Sequence, residues 1–288
     1  MVRSRFEYFS PKTLTEAIDI LLKYDNARVM AGGTDLLLRL KEGVIKAEAV
    51  VGLKKIKELD HITFNRKKGL TIGATALLAD VAKHRAIKKQ YPSIALAAQK
   101  TANMQIRNMG TVIGNLCNAS PSADNAPMLL VLDGELNIIG PDGKRKLMLQ
   151  DFFKGPGITA LGKHEIVISV DVPPLEPKTG TSYLTLSARS AVDCSAVGVG
   201  VKLTMDGDTC KDAKIAVGAC APIPMRVQGA EKCLNDKPIS EKQMEKAAKI
   251  TAKAMSPIDD IRASAAYRSS VVEVLVKRAL KEAFQNVK

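Results

Sequence analysis

The stretch RNMGTVIGNLCNASPSADNAP, residues 107–127, constrains the fold of this chain more than any other segment. It contains four asparagines, two glycines and two prolines, and its only charged residues are Arg107 and Asp124. A surface linker of this kind would usually carry more charge, and a core strand would carry more aliphatic side chains. Because Val112, Ile113 and Leu116 are interspersed, we expect the stretch to pack on a core while it presents backbone and short polar groups to a ligand.

Composition limits the classes of protein that this chain can belong to. It has 288 residues, 46% of them hydrophobic, so it can bury a large core. Its 43 Lys and Arg against 30 Asp and Glu give a net charge of +13, which could attract an anionic cofactor, an acidic partner or nucleic acid. The lysines are dispersed and aromatic residues make up only 4%, which favours a solvated surface over a nucleic-acid platform.

The spacing of cysteines and histidines and the lack of long apolar runs bear on the cellular compartment and on metal binding. The five cysteines are irregularly spaced without a C-x-x-C pair, and only three histidines accompany them, which argues against a disulfide framework, a zinc site or an iron–sulfur site. The sequence has no apolar run long enough to span a bilayer, and its first residues lack the apolar segment of a signal peptide. We therefore expect a cytoplasmic protein without a metal of its own.

The hydrophobic pattern predicts an α+β fold without a regular βαβ repeat. A helix is expected over residues 10–24, with Thr13 and Glu16 spaced as a capping box and Ile18 and Leu22 among its apolar face. HITFNRKKGLTIG indicates a hairpin, PMLLVL a strand before an Asp-Gly turn, and AVGVGVKLTM with AKIAVGAC an antiparallel pair. Two helices are expected at the end of the chain, and a domain boundary near residues 173–178.

A second glycine motif, AGGTD at residues 31–35, follows the end of a predicted strand. Paired glycines let backbone N–H groups approach a ligand, and such a nest suits phosphate, although a plain tight turn has the same appearance. The motif is not G-x-G-x-x-G, so a Rossmann fold has no support. Together with the glycine turn of Gly110 and Gly114, and with a carboxylate suited to a ribose diol at Asp124, it would bind the middle of a dinucleotide if the two loops converge.

These two motifs resemble the FAD loops of the medium, flavin-binding subunit of molybdenum hydroxylases, the family that includes xanthine dehydrogenase, aerobic carbon monoxide dehydrogenase and nicotinate dehydrogenase. The similar segments are AGGTDLLLRLK and IRNMGTVIGNLCNASPSADNAPMLLVLDGEL, followed in order by GKHEIVISVDVP, SARSAVDCSAVGVGV and YRSSVVEVLVKRAL. The resemblance covers essentially the whole chain, and its length suits a separate subunit. It implies a two-subdomain FAD-binding fold of the vanillyl-alcohol-oxidase (PCMH) type over residues 1–175, divided near residue 56, and a C-terminal domain of antiparallel sheet and helices over residues 178–288.

The resemblance also implies which residues bind FAD. The pyrophosphate would be wrapped by the first motif and its flanks, namely Val29, Met30, Ala31, Gly32, Gly33, Thr34, Asp35 and Leu36. The facing loop would contribute Gly110, Thr111, Gly114 and Asn115, with Asp124 on the ribose of the adenosine half. Thr101 and Ala102 would lie beside the isoalloxazine edge, and Ile166 and Val167 near the adenine.

The chain departs from this family pattern at two positions. Relatives often place a lysine near the flavin ring where this chain has Thr185. The position after Asp193, a bulky residue against the ring in some relatives, is Cys194, which either packs as a small side chain or makes a redox-sensitive contact. The cysteine-rich insertion of 4-hydroxybenzoyl-CoA reductases is absent, which disfavours that relative.

The implied function is electron relay by noncovalently bound FAD, with no catalytic acid–base residues in this chain. Molybdopterin and [2Fe-2S] clusters would belong to a large and a small partner subunit, in a dimer of heterotrimers, and an acceptor such as NAD(P) would take the electrons. Two alternatives stay open at this point. One is a basic nucleic-acid-binding module whose glycine loops grip phosphates, and the other is a stand-alone FAD oxidase.

Overall fold

A computed structural model describes residues 5–189 and 194–287 of the chain. Helices and strands alternate irregularly around three main sheets, which confirms the predicted α+β class. Two large hydrophobic cores form, one beneath the N-terminal sheets and one between the C-terminal sheet and its helices. Short 3₁₀ turns lie at Leu53–Lys55, Lys57–Leu59 and Leu149–Asp151.

The first sheet is small and parallel, in the order β1-β3-β2. Its strands are β1 (Glu7–Phe9), β2 (Ala27–Met30) and β3 (Ala49–Gly52), and its helices are α1 (Leu14–Lys23) and α2 (Leu36–Glu42). Because consecutive parallel strands need a crossover, α1 returns the chain from β1 to β2 and α2 returns it from β2 to β3. The first glycine motif is the β2–α2 turn.

Helix α1 begins at the predicted cap, with two differences from the sequence pattern. Glu16 N–H donates to Thr13 Oγ1 at 3.2 Å, while the carboxylate of Glu16 accepts from the N–H of Lys12 rather than of Thr13. Leu22 is 51% exposed, so the apolar face is narrower than predicted and is centred on Leu14, Ala17 and Leu21. The half-formed capping box still satisfies one N-terminal donor of the helix.

The second sheet is antiparallel, in the order β4-β5-β10-β6-β7. Its strands are β4 (Ile62–Asn65), β5 (Gly69–Gly73), β6 (Glu135–Gly140), β7 (Gly143–Met148) and β10 (Ile166–Val172), and β8 (Phe153–Gly155) pairs with β9 (Ile158–Thr159). Six helices connect β5 to β6, namely α3 (Leu78–Lys83), α4 (Arg85–Gln90), α5 (Pro92–Lys100), α6 (Met104–Arg107), α7 (Val112–Cys117) and α8 (Ala126–Val131).

Helix α8 corrects the prediction of a strand at PMLLVL. Every residue from Ala126 to Val131 is buried, so the apolar run has neither the alternation of a strand nor the stripe of an amphipathic helix. Pro127 lies in the first turn, where a missing N–H costs nothing and the fixed φ suits a helix. A fully buried run cannot be assigned by period, and here the chain forms a helix.

The C-terminal half is an antiparallel sheet backed by helices. Its strands are β11 (Thr179–Leu186), β12 (Val197–Asp206), β13 (Thr209–Gly218), β14 (Met225–Arg226) and β15 (Lys237–Pro238), and its helices are α9 (Gln228–Leu234), α10 (Glu241–Ala254) and α11 (Ala265–Gln285). The antiparallel pair β12–β13 and both long helices are as predicted.

The two halves of the molecule meet at the loop before α8. A Cβ on Gly200 of β12 would lie 2.8 Å from the backbone of Pro127, and Ala219 N–H donates to Pro121 O at 2.6 Å. The backbone of this loop therefore lies directly against the C-terminal sheet. Side chains from both halves can reach one site there.

Three further findings concern the broad class of the protein. In residues 5–189 and 194–287, no helix is both long enough and apolar enough to span a bilayer. The same residues contain no cluster of three or more His, Cys, Asp or Glu arranged to hold a metal ion. All five cysteines are unpaired.

Candidate functional site

The first glycine loop, residues 31–35, lies between strand β2 and helix α2. Gly33 has a φ of +74°, which a residue without a Cβ adopts freely. Among the described hydrogen bonds, none uses the backbone N–H of Gly32, Gly33, Thr34 or Asp35 as a donor. Consecutive N–H groups without an internal acceptor form a nest whose chemistry suits an anion such as phosphate.

The second glycine loop, residues 108–111, contacts the first directly. A Cβ on Gly32 would lie 2.2 Å from Met109 O and 2.7 Å from Gly110 Cα, so only glycine permits this approach. A Cβ on Gly110 would lie 3.6 Å from Thr34 Oγ1. The convergence that the sequence could only suggest is therefore present in the structure, because the two turns meet backbone to backbone.

Hydrogen bonds hold the second glycine loop against helices α3 and α7. Leu78 N–H donates to Gly110 O at 2.9 Å, and Thr111 Oγ1 caps helix α7 by accepting from Gly114 N–H at 2.9 Å. A Cβ on Gly114 would also lie 2.9 Å from Thr111 Oγ1. Glycine is needed there because the capping hydroxyl occupies the space of a side chain.

Asn115 belongs to a buried amide network beside these loops. Asn125 Nδ2 donates to Asn115 Oδ1 at 3.0 Å and to Thr101 Oγ1 at 3.2 Å. Arg107 holds the adjoining backbone by donating to the carbonyl oxygens of Thr101 and Ala102, at 3.0 and 2.9 Å. Ala102 has a φ of +46°, an unusual conformation for a residue with a Cβ.

The side chain of Asn125 uses its Nδ2 in this network but leaves its Oδ1 without a partner among the described residues. It is 2% exposed, and its Oδ1 is among the buried polar atoms without a hydrogen-bond partner in the described residues. An unsatisfied buried acceptor costs about 1–3 kcal/mol. A ligand hydroxyl or N–H that reached this oxygen would recover that cost.

Asp124 lies in a hydroxyl cluster, which we define as Tyr183, Thr185 and Ser195. Tyr183 Oη donates to Asp124 Oδ1 at 3.1 Å and Ser195 Oγ donates to the same oxygen at 2.6 Å, while Ser195 Oγ lies 2.5 Å from Thr185 Oγ1. Burial raises the pKa of Asp124 to about 6, and the two hydroxyl bonds oppose that rise. The carboxyl is therefore a buried acid held by neutral donors.

This geometry brings together two residues that are expected at opposite ends of the cofactor. Asp124 was expected at the adenosine ribose and Thr185 at the isoalloxazine edge, which are opposite ends of an extended dinucleotide. Because Ser195 bonds to both residues, Asp124 and Thr185 line the same part of the site. Asp124 does not cap helix α8, since the helix is preceded by Asn125 and neither described bond to Asp124 comes from the helix.

The other expected residues lie in the N-terminal core, at the edges of the first loop or at the surface. Ile166 and Val167 are 1% and 3% exposed within the N-terminal core, so a ligand would meet their main chain only. Cys194 is exposed and its thiol lies next to Arg262. Val29, Met30, Ala31 and Leu36 are half-buried at the edges of the first loop, and Asp35 is exposed there. Asp193 lies outside the described residues.

Sequence reasoning missed three residues of the site. Asn125 was inside the quoted segment but was not assigned a role, although an Asn beside the predicted acidic ligand was a usable signal. Tyr183 and Ser195 carried no local signal, because they lie 59 and 71 positions from the carboxylate that they bind. Only the packing of the two halves brings them there.

Comparison with known families gives a consistent result across the chain. Residues 4–175 match the family described as the FAD-binding domain in molybdopterin dehydrogenase, and residues 182–283 match the CO dehydrogenase flavoprotein C-terminal domain. The chain is 30% identical over 278 residues to the xanthine dehydrogenase FAD-binding subunit of Escherichia coli O157:H7, covering 96% of this chain and 95% of the relative.

Two further relatives extend the comparison. The glyceraldehyde dehydrogenase medium chain of Sulfolobus acidocaldarius is 30% identical over 282 residues, which cover 98% of this chain and 99% of the relative. The solved structure of carbon monoxide dehydrogenase from Hydrogenophaga pseudoflava, in the form that lacks the Mo-pyranopterin moiety of its cofactor, contains a chain that superimposes with a TM-score of 0.96. That chain is 29% identical, and the match covers 100% of both chains.

The contact between the glycine loops generates a test. Gly32→Ala should lower the free energy of unfolding by about 1–3 kcal/mol, because its Cβ would collide with the backbone of Met109 and Gly110. Gly155→Ala is the matched control, since its Cβ would make ordinary contact 3.5 Å from Ile158, and it should cost less than about 1 kcal/mol. Thermal unfolding of both variants measures the difference. Equal stability of the two would mean that the loops do not touch.

Proposed function

Since the chain belongs to the family of FAD-binding domains of molybdopterin dehydrogenases, we propose that it relays electrons within a molybdenum hydroxylase complex. As an FAD-binding oxidoreductase subunit, it would receive electrons from iron–sulfur clusters of a partner and pass them to an external acceptor. FAD suits this task because a flavin exchanges single electrons with clusters and electron pairs with other acceptors. The observation that carries the proposal is the backbone contact between the two glycine loops.

The residues of this chain fit FAD in three ways. The N–H groups of the first loop suit the negative oxygens of a pyrophosphate, and the crowding at Gly32 keeps the second loop close enough to contribute. The hydroxyl of Thr111, which accepts from Gly114 N–H, still has its own proton to donate. The orphaned Oδ1 of Asn125 offers an acceptor beside Thr101.

We assign Asp124 to the flavin half of the cofactor and not to the adenosine ribose. Asp124 is linked to two residues that are expected beside the isoalloxazine. Asn125, the next residue in the chain, donates to Thr101, and Ser195, which donates to Asp124, also bonds to Thr185. The ribityl chain of that half carries hydroxyls that a carboxylate can accept from. Ile166 and Val167 keep their assignment to the adenine through main-chain contact only.

Partners follow from the same proposal. The names FAD-binding subunit and medium chain, given to the relatives in Escherichia coli and Sulfolobus acidocaldarius, each describe one chain among several. We propose a small iron–sulfur subunit and a large molybdopterin subunit as partners of this chain, in a dimer of heterotrimers, with NAD(P) as an acceptor. Because these similar chains belong to enzymes named for different substrates, xanthine and glyceraldehyde, we propose that substrate choice belongs to the large subunit.

Purification of the chain with its partners tests the function directly. We expect one FAD per chain in the visible spectrum, and full release of that FAD on acid precipitation, because binding by hydrogen bonds leaves no covalent link. The copurifying chains should contain iron, sulfide and molybdopterin. A colourless protein that shifts DNA with a steep salt dependence would replace this proposal with the nucleic-acid alternative.

The assignment of Asp124 to the flavin half has its own test. Asp124→Ala should weaken FAD and riboflavin binding by similar factors, about tenfold to a hundredfold, for the loss of one hydrogen bond to a charged group. Titration of each ligand, followed by flavin fluorescence, gives the two affinities. Unchanged riboflavin binding with weakened FAD binding would return Asp124 to the adenosine ribose.

A matched control separates this effect from a general loss of stability. Asp171 on β10 is also a partly buried carboxylate, which accepts from Thr71 Oγ1 at 2.7 Å and from Asn137 Nδ2 at 2.8 Å and has Lys146 Nζ 3.8 Å away. It takes no part in the proposed site. Asp171→Ala should therefore leave both flavin affinities unchanged, and circular dichroism should verify that both variants are folded.

A further inference from the structure

The buried carboxylate of Asp124 is bonded to neutral groups from the other half of the molecule. It is 8% exposed, and its Oδ1 accepts from Tyr183 on β11 and from Ser195 just before β12. Thr185 then bonds to Ser195 and extends the cluster along β11. Neutral donors stabilise a carboxylate less than a cation does, so this arrangement leaves the cost of burying the charge only partly compensated.

Within residues 5–189 and 194–287, the titratable and charged groups on the segments around Asp124 are neutral or bonded to other groups. Burial raises the pKa of Cys117 on α7 to about 12 and raises that of Tyr183 well above its ordinary value, so both are neutral at pH 7. Three guanidinium groups in the described residues bond to groups other than Asp124: Arg107 to two carbonyl oxygens, and the remaining two to Asp260. Those two are Arg262, which also donates to Ser122, and Arg268, which also donates to Ala219 O.

We propose that Asp124 is a pH-dependent ligand of the cofactor, and that the hydroxyls of Tyr183 and Ser195 set the pH at which it changes charge. This inference rests on the proposed function, because it requires FAD in the site. The ionised carboxylate accepts hydrogen bonds from cofactor hydroxyls, whereas the protonated form is a weaker acceptor. FAD affinity should therefore be highest above the pKa of Asp124 in the free chain and should fall as the pH falls through that value.

The size of the effect follows from proton linkage. The pKa of Asp124 in the chain without cofactor is raised to about 6, by burial first and against the two hydroxyl bonds. FAD binding that requires the ionised form should be about tenfold weaker at pH 5 than at pH 7. Removal of one hydroxyl takes away a donor to the carboxylate, raises this pKa further and moves the midpoint to higher pH.

The experiment is a titration of the full-length apoprotein with FAD, followed by flavin fluorescence between pH 5 and pH 8. The unmodified chain should lose about tenfold in affinity between pH 7 and pH 5. Asp124→Asn should bind more weakly at pH 7 but with nearly constant affinity across the range. Ser195→Ala should move the midpoint to higher pH. Ser195→Thr, which keeps a hydroxyl, should restore the midpoint of the unmodified chain.

Thr181→Ala is the matched control. Thr181 lies on the same strand as Tyr183 and is 5% exposed, but its hydroxyl bonds to Ser93 Oγ at 2.8 Å and not to the cluster. Its loss should leave the midpoint unmoved. A shift as large as that of Ser195→Ala would contradict the assigned role of the cluster.

The outcomes separate this inference from the proposed function. Absence of FAD binding at every pH would overturn the proposed function itself. FAD binding of equal affinity at pH 5 and pH 7, or a pH dependence that persists in Asp124→Asn, would overturn only the role of Asp124. Where Asp124→Asn does not fold, an unmoved midpoint in Ser195→Ala overturns the inference instead.

Discussion

The close approach of two backbone turns is the constraint on which the rest of this structure depends. Gly32 lies against Met109 and Gly110 so tightly that a Cβ would sit 2.2 Å from a carbonyl oxygen. This contact joins the small parallel sheet to the helical connection of the second sheet and leaves the N–H groups of residues 32–35 without internal acceptors. The same packing thereby leaves a nest of N–H groups whose chemistry suits an anion.

The C-terminal half contributes side chains to the candidate site in addition to packing against it. Because Gly200 lets β12 lie against the backbone of Pro127, the loop that carries Asp124 is held between the two halves. Tyr183 and Ser195 then bond to that carboxylate from the far side of the junction. The residues that we propose for cofactor binding thus come from both halves, and cofactor binding should be coupled to their contact.

The sequence predicted the elements whose chemistry is local. Paired glycines after a strand identified the first loop, and the cap at Thr13 and the antiparallel pair β12–β13 followed from short patterns. Helix α8 was not predicted, because a segment that is buried on every side shows no hydrophobic periodicity. Tyr183 and Ser195 were not predicted as site residues. They lie 59 and 71 positions from Asp124 in the sequence, and only tertiary packing brings them into contact with it.

The central claim is that FAD binds where the two glycine loops meet. Selective ¹⁵N labelling of the 20 glycines, followed by two-dimensional NMR with and without FAD, measures this directly. We predict large changes in the amide signals of Gly32, Gly33, Gly110 and Gly114, and small changes at Gly143 and Gly207, which lie in open turns. Changes concentrated at the open turns, with the loop glycines unaffected by bound FAD, would contradict the account.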